Sequence, residues 1–267
     1  MSVNNETVSQ LKKAIEIFVS SEGEIRPHSI LTGPPGSGKT HLLSILAEMF
    51  ELNTLEINAA SLTKEGTSGN SLSKALSPLL NVNGLTLVVV DEFDKLFISG
   101  NSNSSLAHET TNGVQNEFLK VLESSHAQVY GDFGKYIAAP VDKCLFIFLG
   151  AFNGEEDISI DRLREFGIKT EFLGRVGLVY SLQPLTLEEL KNILQDSILL
   201  NNYVTLFPDA KKAKVVSAIM AAVEENYVKN TLGVRMLNNL IHSYFIQGGL
   251  TKASIERKTF QKTLSMG

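Results

Sequence analysis

Eight consecutive residues, Gly33-Pro34-Pro35-Gly36-Ser37-Gly38-Lys39-Thr40, have the types needed to hold a polyphosphate. They match G-x-x-x-x-G-K-[ST], in which glycines let the backbone curl tightly and aim its N–H groups at anionic oxygens. Lys39 would meet the β- and γ-phosphates, and the Thr40 hydroxyl would ligate Mg²⁺. His41, the next residue, is counted with the nucleotide contacts. The expected ligands are therefore ATP and Mg²⁺. About 50 residues further on, Leu87-Val88-Val89-Val90 runs into Asp91-Glu92. A strand-end Asp beside a phosphate loop holds the metal, which gives Asp91 that role alongside Thr40. Glu92, one residue on, can polarise an attacking water. A protein that only bound nucleotide would have no use for it.

These groups act together only if secondary structure brings them to one place. Ser29–Thr32 reads as a strand entering the phosphate loop, and His41–Phe50 as the helix leaving it, whose N-terminal dipole favours an anion. Strands are expected at Thr54–Asn58, Leu85–Val90 and Cys144–Gly150. Helices are expected at Ser71–Leu80 and Val114–Glu123, and over residues 6–20, where Val8, Leu11, Ile15, Phe18 and Val19 recur at helical spacing. Ser99–Thr111, rich in Ser, Asn and Thr, reads as a flexible loop. Strands alternating with helices predict an α/β fold, a mostly parallel sheet sandwiched by helices, with ligands at the carboxyl ends of the strands. The character changes at Gln183-Pro184. Thr186-Leu187-Glu188-Glu189 reads as a capping box that opens a helix to about Leu200. A second helix follows Phe207-Pro208-Asp209, and a third covers Gly233–Ile246. The expected organisation is a large domain over 1–182 and a smaller all-helical domain over 183–267.

Composition limits the alternatives. The chain has 267 residues, a net charge of −5 and 43% hydrophobic residues, which suits a globular protein and argues against a basic nucleic-acid coat. One cysteine, Cys144, excludes an internal disulfide and a cysteine-based zinc site. His28, His41, His108, His126 and His242 are scattered without metal-ligand spacing, so no zinc is expected. The first residues lack the pattern of a signal peptide, and no apolar run approaches bilayer length. A cytoplasmic protein without membrane contact is the expectation.

Phosphate loop, Asp-Glu strand and helical C-terminal part together resemble the AAA+ family. Finer features resemble its ClpX branch, the protein-unfolding subunits of a bacterial protease. Asp91-Glu92-Phe93-Asp94-Lys95 is similar to that branch's DEIDK. Gly113-Val114-Gln115 with Phe118–Glu123 is similar to its GVQQALLKLIEG helix, and Leu145–Phe152 to its ILFICGGAF strand. Phe166–Arg175 resembles its FGLIPEFIGR segment, and Gly233-Val234-Arg235 the end of its GARGLR element. The likeness runs in order from about residue 28 to 245. It implies a homo-oligomeric ring, usually a hexamer, with ATP at subunit interfaces and the helical domain as a lid. It further implies that Arg175 is an arginine finger reaching a neighbour's γ-phosphate, and that Arg235 contacts nucleotide within its own subunit. Asn153 would orient the attacking water, although Gly150 occupies the branch's usual strand-end position for that role.

Three departures from the branch bear on function. Leu62–Gly69 aligns with the loop that grips polypeptide through an aromatic residue, and here Thr67 replaces it. The branch's four-cysteine zinc domain is not expected here, and Gly154–Glu165 is too short for a protease-docking loop. The expectation is an ATPase that remodels or unfolds a protein partner without feeding that protease. A nucleic-acid-associated ATPase, such as a helicase loader or a transposition-type regulator, is the alternative, and a nucleotide-dependent non-catalytic scaffold is a second one. A protein partner is favoured over nucleic acid by the acidic charge.

Overall fold

The computed structural model describes residues 3–66, 69–98, 105–131, 134–227 and 233–250. Thr67 of the expected gripping loop, residues 99–104 of the expected flexible loop and the last 17 residues lie outside them. The chain divides into two compact units that part between Gln183 and Pro184, with Pro35–Ser37 counted in the second.

The first unit is built on five strands, β1 (Ser29–Thr32), β2 (Asn53–Asn58), β3 (Thr86–Asp91), β6 (Cys144–Gly150) and β7 (Leu178–Ser181). They are all parallel and lie in the order β2-β3-β6-β1-β7. Helix α1 (Val3–Ser20) precedes β1, and α2 (Lys39–Met49) connects β1 to β2. The continuous apolar runs of β3 and β6 are explained by burial of both sheet faces. Alternate residues take opposite sides, as strand geometry requires. Val88, Val90, Phe146 and Phe148 enter one core with α5 (Ser105–Glu123) and α7 (Thr170–Arg175). Leu87, Val89, Leu145, Ile147 and Leu149 enter the other, against Leu11, Ile15 and Phe18 of α1 and Leu43 and Leu46 of α2. The first core centres on Phe93, whose ring stacks on Phe172 at 5.2 Å and meets Phe148 at 4.8 Å.

Several elements differ from the sequence expectation. Residues 105–111, expected as loop, are the first two turns of α5. Ser71–Leu80 is a single α-turn, α3 (Leu72–Ala75), followed by a 3₁₀ segment at Ser77–Asn81, because Pro78 removes a backbone donor there. The short helix α4 (Lys95–Ile98) follows β3. An antiparallel hairpin, β4 (His126–Tyr130) and β5 (Tyr136–Pro140), stands apart from the main sheet. The short helix α6 (Ile160–Glu165) begins at a Ser159 cap, whose hydroxyl accepts from Arg162 N.

The second unit is helical: α8 (Leu187–Asp196), α9 (Ile198–Leu206), α10 (Lys212–Asn226) and α11 (Val234–Gln247). Its capping box forms as expected. Thr186 Oγ1 accepts from Glu189 N at 3.2 Å, and Thr186 N donates to the Glu189 carboxylate at 2.8 Å. The helix expected to reach Leu200 instead ends at Asp196. Ser197 leaves the helical conformation and caps α9, accepting from Leu200 N. Leu190, Leu194, Ile219, Val223, Leu237 and Ile241 form its core.

Candidate functional site

Strand register gathers the candidate residues along one edge of the sheet. Thr32 pairs with Gly150, and Asn58 pairs with Asp91, so β1, β2, β3 and β6 all end on the same side. The phosphate loop leaves β1 there. Its glycines carry the turn: Gly33, Gly36 and Gly38 have φ of 146°, 76° and 86°. These values belong to glycine, since a Cβ would strain the backbone. Gly38 is the N-cap of α2, so the first turn of that helix starts inside the loop. Lys39 Nζ donates to the carbonyls of Gly33 at 2.6 Å and Pro34 at 3.1 Å, folding back over the loop's own backbone. Pro35, Gly36 and Ser37 form the loop's bend, and His41 is exposed on α2.

Thr40 and Asp91 are 51 residues apart in sequence and meet in space. Thr40 Oγ1 donates to Asp91 Oδ2 at 3.1 Å, while Asp91 Oδ1 accepts from Glu92 N at 2.7 Å. A hydroxyl and a carboxylate oxygen, adjacent at the foot of an anion-binding loop, are the hard oxygen donors that Mg²⁺ takes. Beside Gly38, the space where a Cβ would point is open, with no atom of the other described residues, its chain neighbours aside, within 4 Å. Donor set and cradle therefore both fit a metal-bound polyphosphate.

Glu92 has φ of 55°, a left-handed conformation that costs a non-glycine residue roughly 1–2 kcal/mol. The carboxylate is exposed and accepts from Asn58 Nδ2 at 3.2 Å. Such local strain accumulates where a side chain must point in a specified direction. Asn58 is the site residue that sequence reasoning missed. Its only local signal is a polar residue closing a strand beside the acidic pair. The same side chain also accepts from Ala60 N at 2.9 Å, so it is fixed at both ends.

The other candidates are placed as follows. Asn153 lies in a 3₁₀ turn after β6, exposed, with φ of 60°. The turn is anchored by buried Asp94, which accepts from Phe152 N at 3.2 Å. Arg175 ends α7, exposed, its guanidinium held by Glu123 of α5 at 2.7 Å. Arg235 is exposed on the first turn of α11 in the second unit. No group of three or more metal-ligating side chains of the His, Cys, Asp and Glu types occurs among the described residues. Nor is any described helix long and apolar enough to cross a membrane.

Comparison with known proteins accords with this geometry. The chain is 27% identical over 276 aligned positions to the ATP-dependent Clp protease ATP-binding subunit ClpX of Porphyromonas gingivalis, an alignment covering 86% of this chain and 67% of that one. The ClpX 2 subunit of Wolinella succinogenes is 27% identical, with 79% and 62% covered. That of Bacteroides thetaiotaomicron is 25% identical, with 88% and 68% covered. The chain thus spans about two thirds of the length of these relatives. Residues 29–172, which carry every strand of the main sheet except β7, match the model of the ATPase family associated with various cellular activities. With its phosphate loop, adjacent hydroxyl and carboxylate oxygens and acidic pair set on one sheet edge, the chain belongs to this AAA ATPase family and is similar to its ClpX subunits.

Proposed function

We propose that this ATPase works as a homo-oligomeric ring, a hexamer by analogy with its branch, and uses ATP hydrolysis to remodel a protein partner. The observation that carries the catalytic part is the Thr40–Asp91 contact with Glu92 directly beside it. The residues divide the work by chemistry. Backbone N–H groups from Gly36 to Thr40 and the Lys39 ammonium bind and orient the phosphates. Thr40 and Asp91 would hold Mg²⁺, which when bound neutralises charge on the phosphate oxygens. Glu92 accepts the proton of a water aligned with the γ-phosphate, and Asn153 helps to place that water.

Arg175, exposed at the end of a short helix, would enter a neighbour's site and stabilise charge developing on the transferred phosphoryl group. Arg235 would contact nucleotide from the second unit, which in this reading acts as a lid over the first. The relatives' printed names support a protein rather than a nucleic acid as partner, and the net charge of −5 agrees. The short Gly154–Glu165 segment supports a machine that does not dock a protease. Glu155 and Glu165 there clamp Arg162 at 2.6 and 2.5 Å, leaving a compact turn in place of a long loop.

Steady-state ATP turnover of the full chain, alone and with an unfolded polypeptide, tests the proposal. Polypeptide is expected to raise turnover, and Glu92→Gln is expected to lower it by about 10²–10⁴-fold while nucleotide still binds. Stimulation by single-stranded DNA instead of polypeptide would overturn the choice of partner. Unchanged turnover in Glu92→Gln would overturn the assignment of the base.

A further inference from the structure

The Gly113-Val114-Gln115 run lies on α5 and takes no part in the site described above. Its Gln115 is nevertheless a polar side chain with no exposed surface at all. An amide buried that deeply is costly unless both of its ends are hydrogen-bonded. Both are. Gln115 Nε2 donates to Gly167 O at 3.2 Å, and Gln115 Oε1 accepts from Lys169 N at 2.9 Å. One amide thus spans a carbonyl and an N–H two residues apart. No other side chain of this reach offers a donor and an acceptor together: asparagine is one methylene shorter, and glutamate gives up the amide donor.

The segment held in this way is the entry to α7. The chain leaves α6 and turns at Gly167, where φ is 105°. Lys169 is then the N-cap of α7, and its own side chain makes no capping bond. The Lys169 ammonium instead donates to Asn116 Oδ1 at 2.8 Å, an exposed bond that again leads to α5.

A helix of six residues cannot fix its own direction, so its anchors decide where it points. Gln115 holds the start of α7. In the middle, buried Phe172 stacks on Phe93, the residue that follows Glu92. At the end, Arg175 pairs with Glu123 of α5. The first two anchors are buried and the third is exposed. An exposed pair is worth about 0–1 kcal/mol, so Arg175 can exchange Glu123 for a phosphate while the buried anchors keep the helix in place. The lever is sensitive. Lys169 and Arg175 are separated by about 9 Å of helix, so a tilt of about 10° at the start moves the far end by about 1.5 Å. Misplacement by about 1 Å can cost about 10²-fold in rate.

We propose that Gln115 is a positioning residue for Arg175: its amide fixes the start of α7 and so aims the guanidinium at a neighbour's γ-phosphate. The inference rests on the reading of Arg175 as an arginine finger.

ATP turnover of mixed chains tests it. Glu92→Gln chains lend an arginine and Arg175→Ala chains lend a base, so an equal mixture should recover about a quarter of wild-type turnover. Gln115→Met keeps the length of the side chain and removes both bonds. Added to the arginine-lending Glu92→Gln chain, it should lower the recovered turnover at least about tenfold. Added to the base-lending Arg175→Ala chain, it should leave the recovered turnover as it was. A substitution that merely weakened the fold would act alike in both placements. Far-UV circular dichroism and binding of a fluorescent ADP analogue are recorded for each chain before mixing. Gln115→Glu, which keeps an oxygen for Lys169 N, replaces Gln115→Met if that chain does not fold. Equal turnover in the two placements, whether high or low, would overturn the role of Gln115 while the reading of Arg175 stands. No recovery in the mixture that keeps Gln115 in both chains would overturn the reading of Arg175, and this inference with it.

Discussion

At the scale of single residues, the site depends on contacts that a side chain makes at the ends of strands. Asn58 and Glu92 illustrate this. The carboxylate that would activate water is held by one hydrogen bond, on a residue already in a left-handed conformation. A single exposed bond of this kind is worth about 0.5–1.5 kcal/mol. Asn58→Ala should therefore change basal ATP turnover by only a few-fold, about 2–10, and a much larger loss would show that Asn58 contributes more than restraint. Gly150 makes a sharper case. A Cβ there would lie 2.4 Å from the Phe152 ring and 3.0 Å from the Asp94 Cβ, both of them buried. Gly150→Ala should cost about 1–3 kcal/mol through overpacking, read as a fall in Tm. It should also reduce turnover, because the displaced Phe152 carries Asn153 with it. The phosphate loop and the acidic pair were legible in the sequence because each is a local run with its own chemistry. Asn58 was not, because only the pairing of β2 with β3 brings it beside Glu92.

At the scale of elements, legibility followed the strength of the local signal. The buried strands and the Thr186 capping box show themselves in a few residues. The hairpin did not, since its strands bury only Ala127, Val129 and Ala139 and expose the rest. The first turns of α5 were hidden by Ser, Asn and Thr, which favour loops when read without tertiary context. His28 shows how two elements are joined by a group that composition alone would leave as an ordinary histidine. It precedes β1, is buried, and its Nδ1 accepts from Phe146 N of β6 at 3.1 Å. Burial, reinforced by the charge of Arg26, lowers its pKa from 6.5 to about 4. As pH falls below 6.5, the unfolded chain takes a proton that the folded one refuses. Stability present at neutral pH should thus be lost progressively between pH 6.5 and about 4, by about 3 kcal/mol in total. Chemical denaturation across that range measures the loss, and His28→Asn should flatten this part of the profile. An unchanged slope in the variant would assign the acid sensitivity to carboxylates instead.

At the scale of the whole molecule, the question is whether one chain suffices for turnover. Arg175 is exposed, and its partner within the chain is Glu123, itself half-exposed, a pairing that holds the guanidinium loosely at the surface. If Arg175 serves a neighbour, then Glu92 and Arg175 of one working site come from different copies. Two inactive variants should then rescue each other. Glu92→Gln lacks the base but can lend its arginine, and Arg175→Ala lacks the arginine but keeps its base. Mixed in equal amounts and allowed to exchange, they should place an intact base against an intact arginine at about one interface in four, giving about a quarter of wild-type turnover. Each variant alone should be at least 10²-fold below wild type. A mixture no more active than its components would mean that Arg175 acts within its own chain or not at all. In that event the family membership and the phosphate site would stand, and the proposal of a site completed by a neighbour would fall.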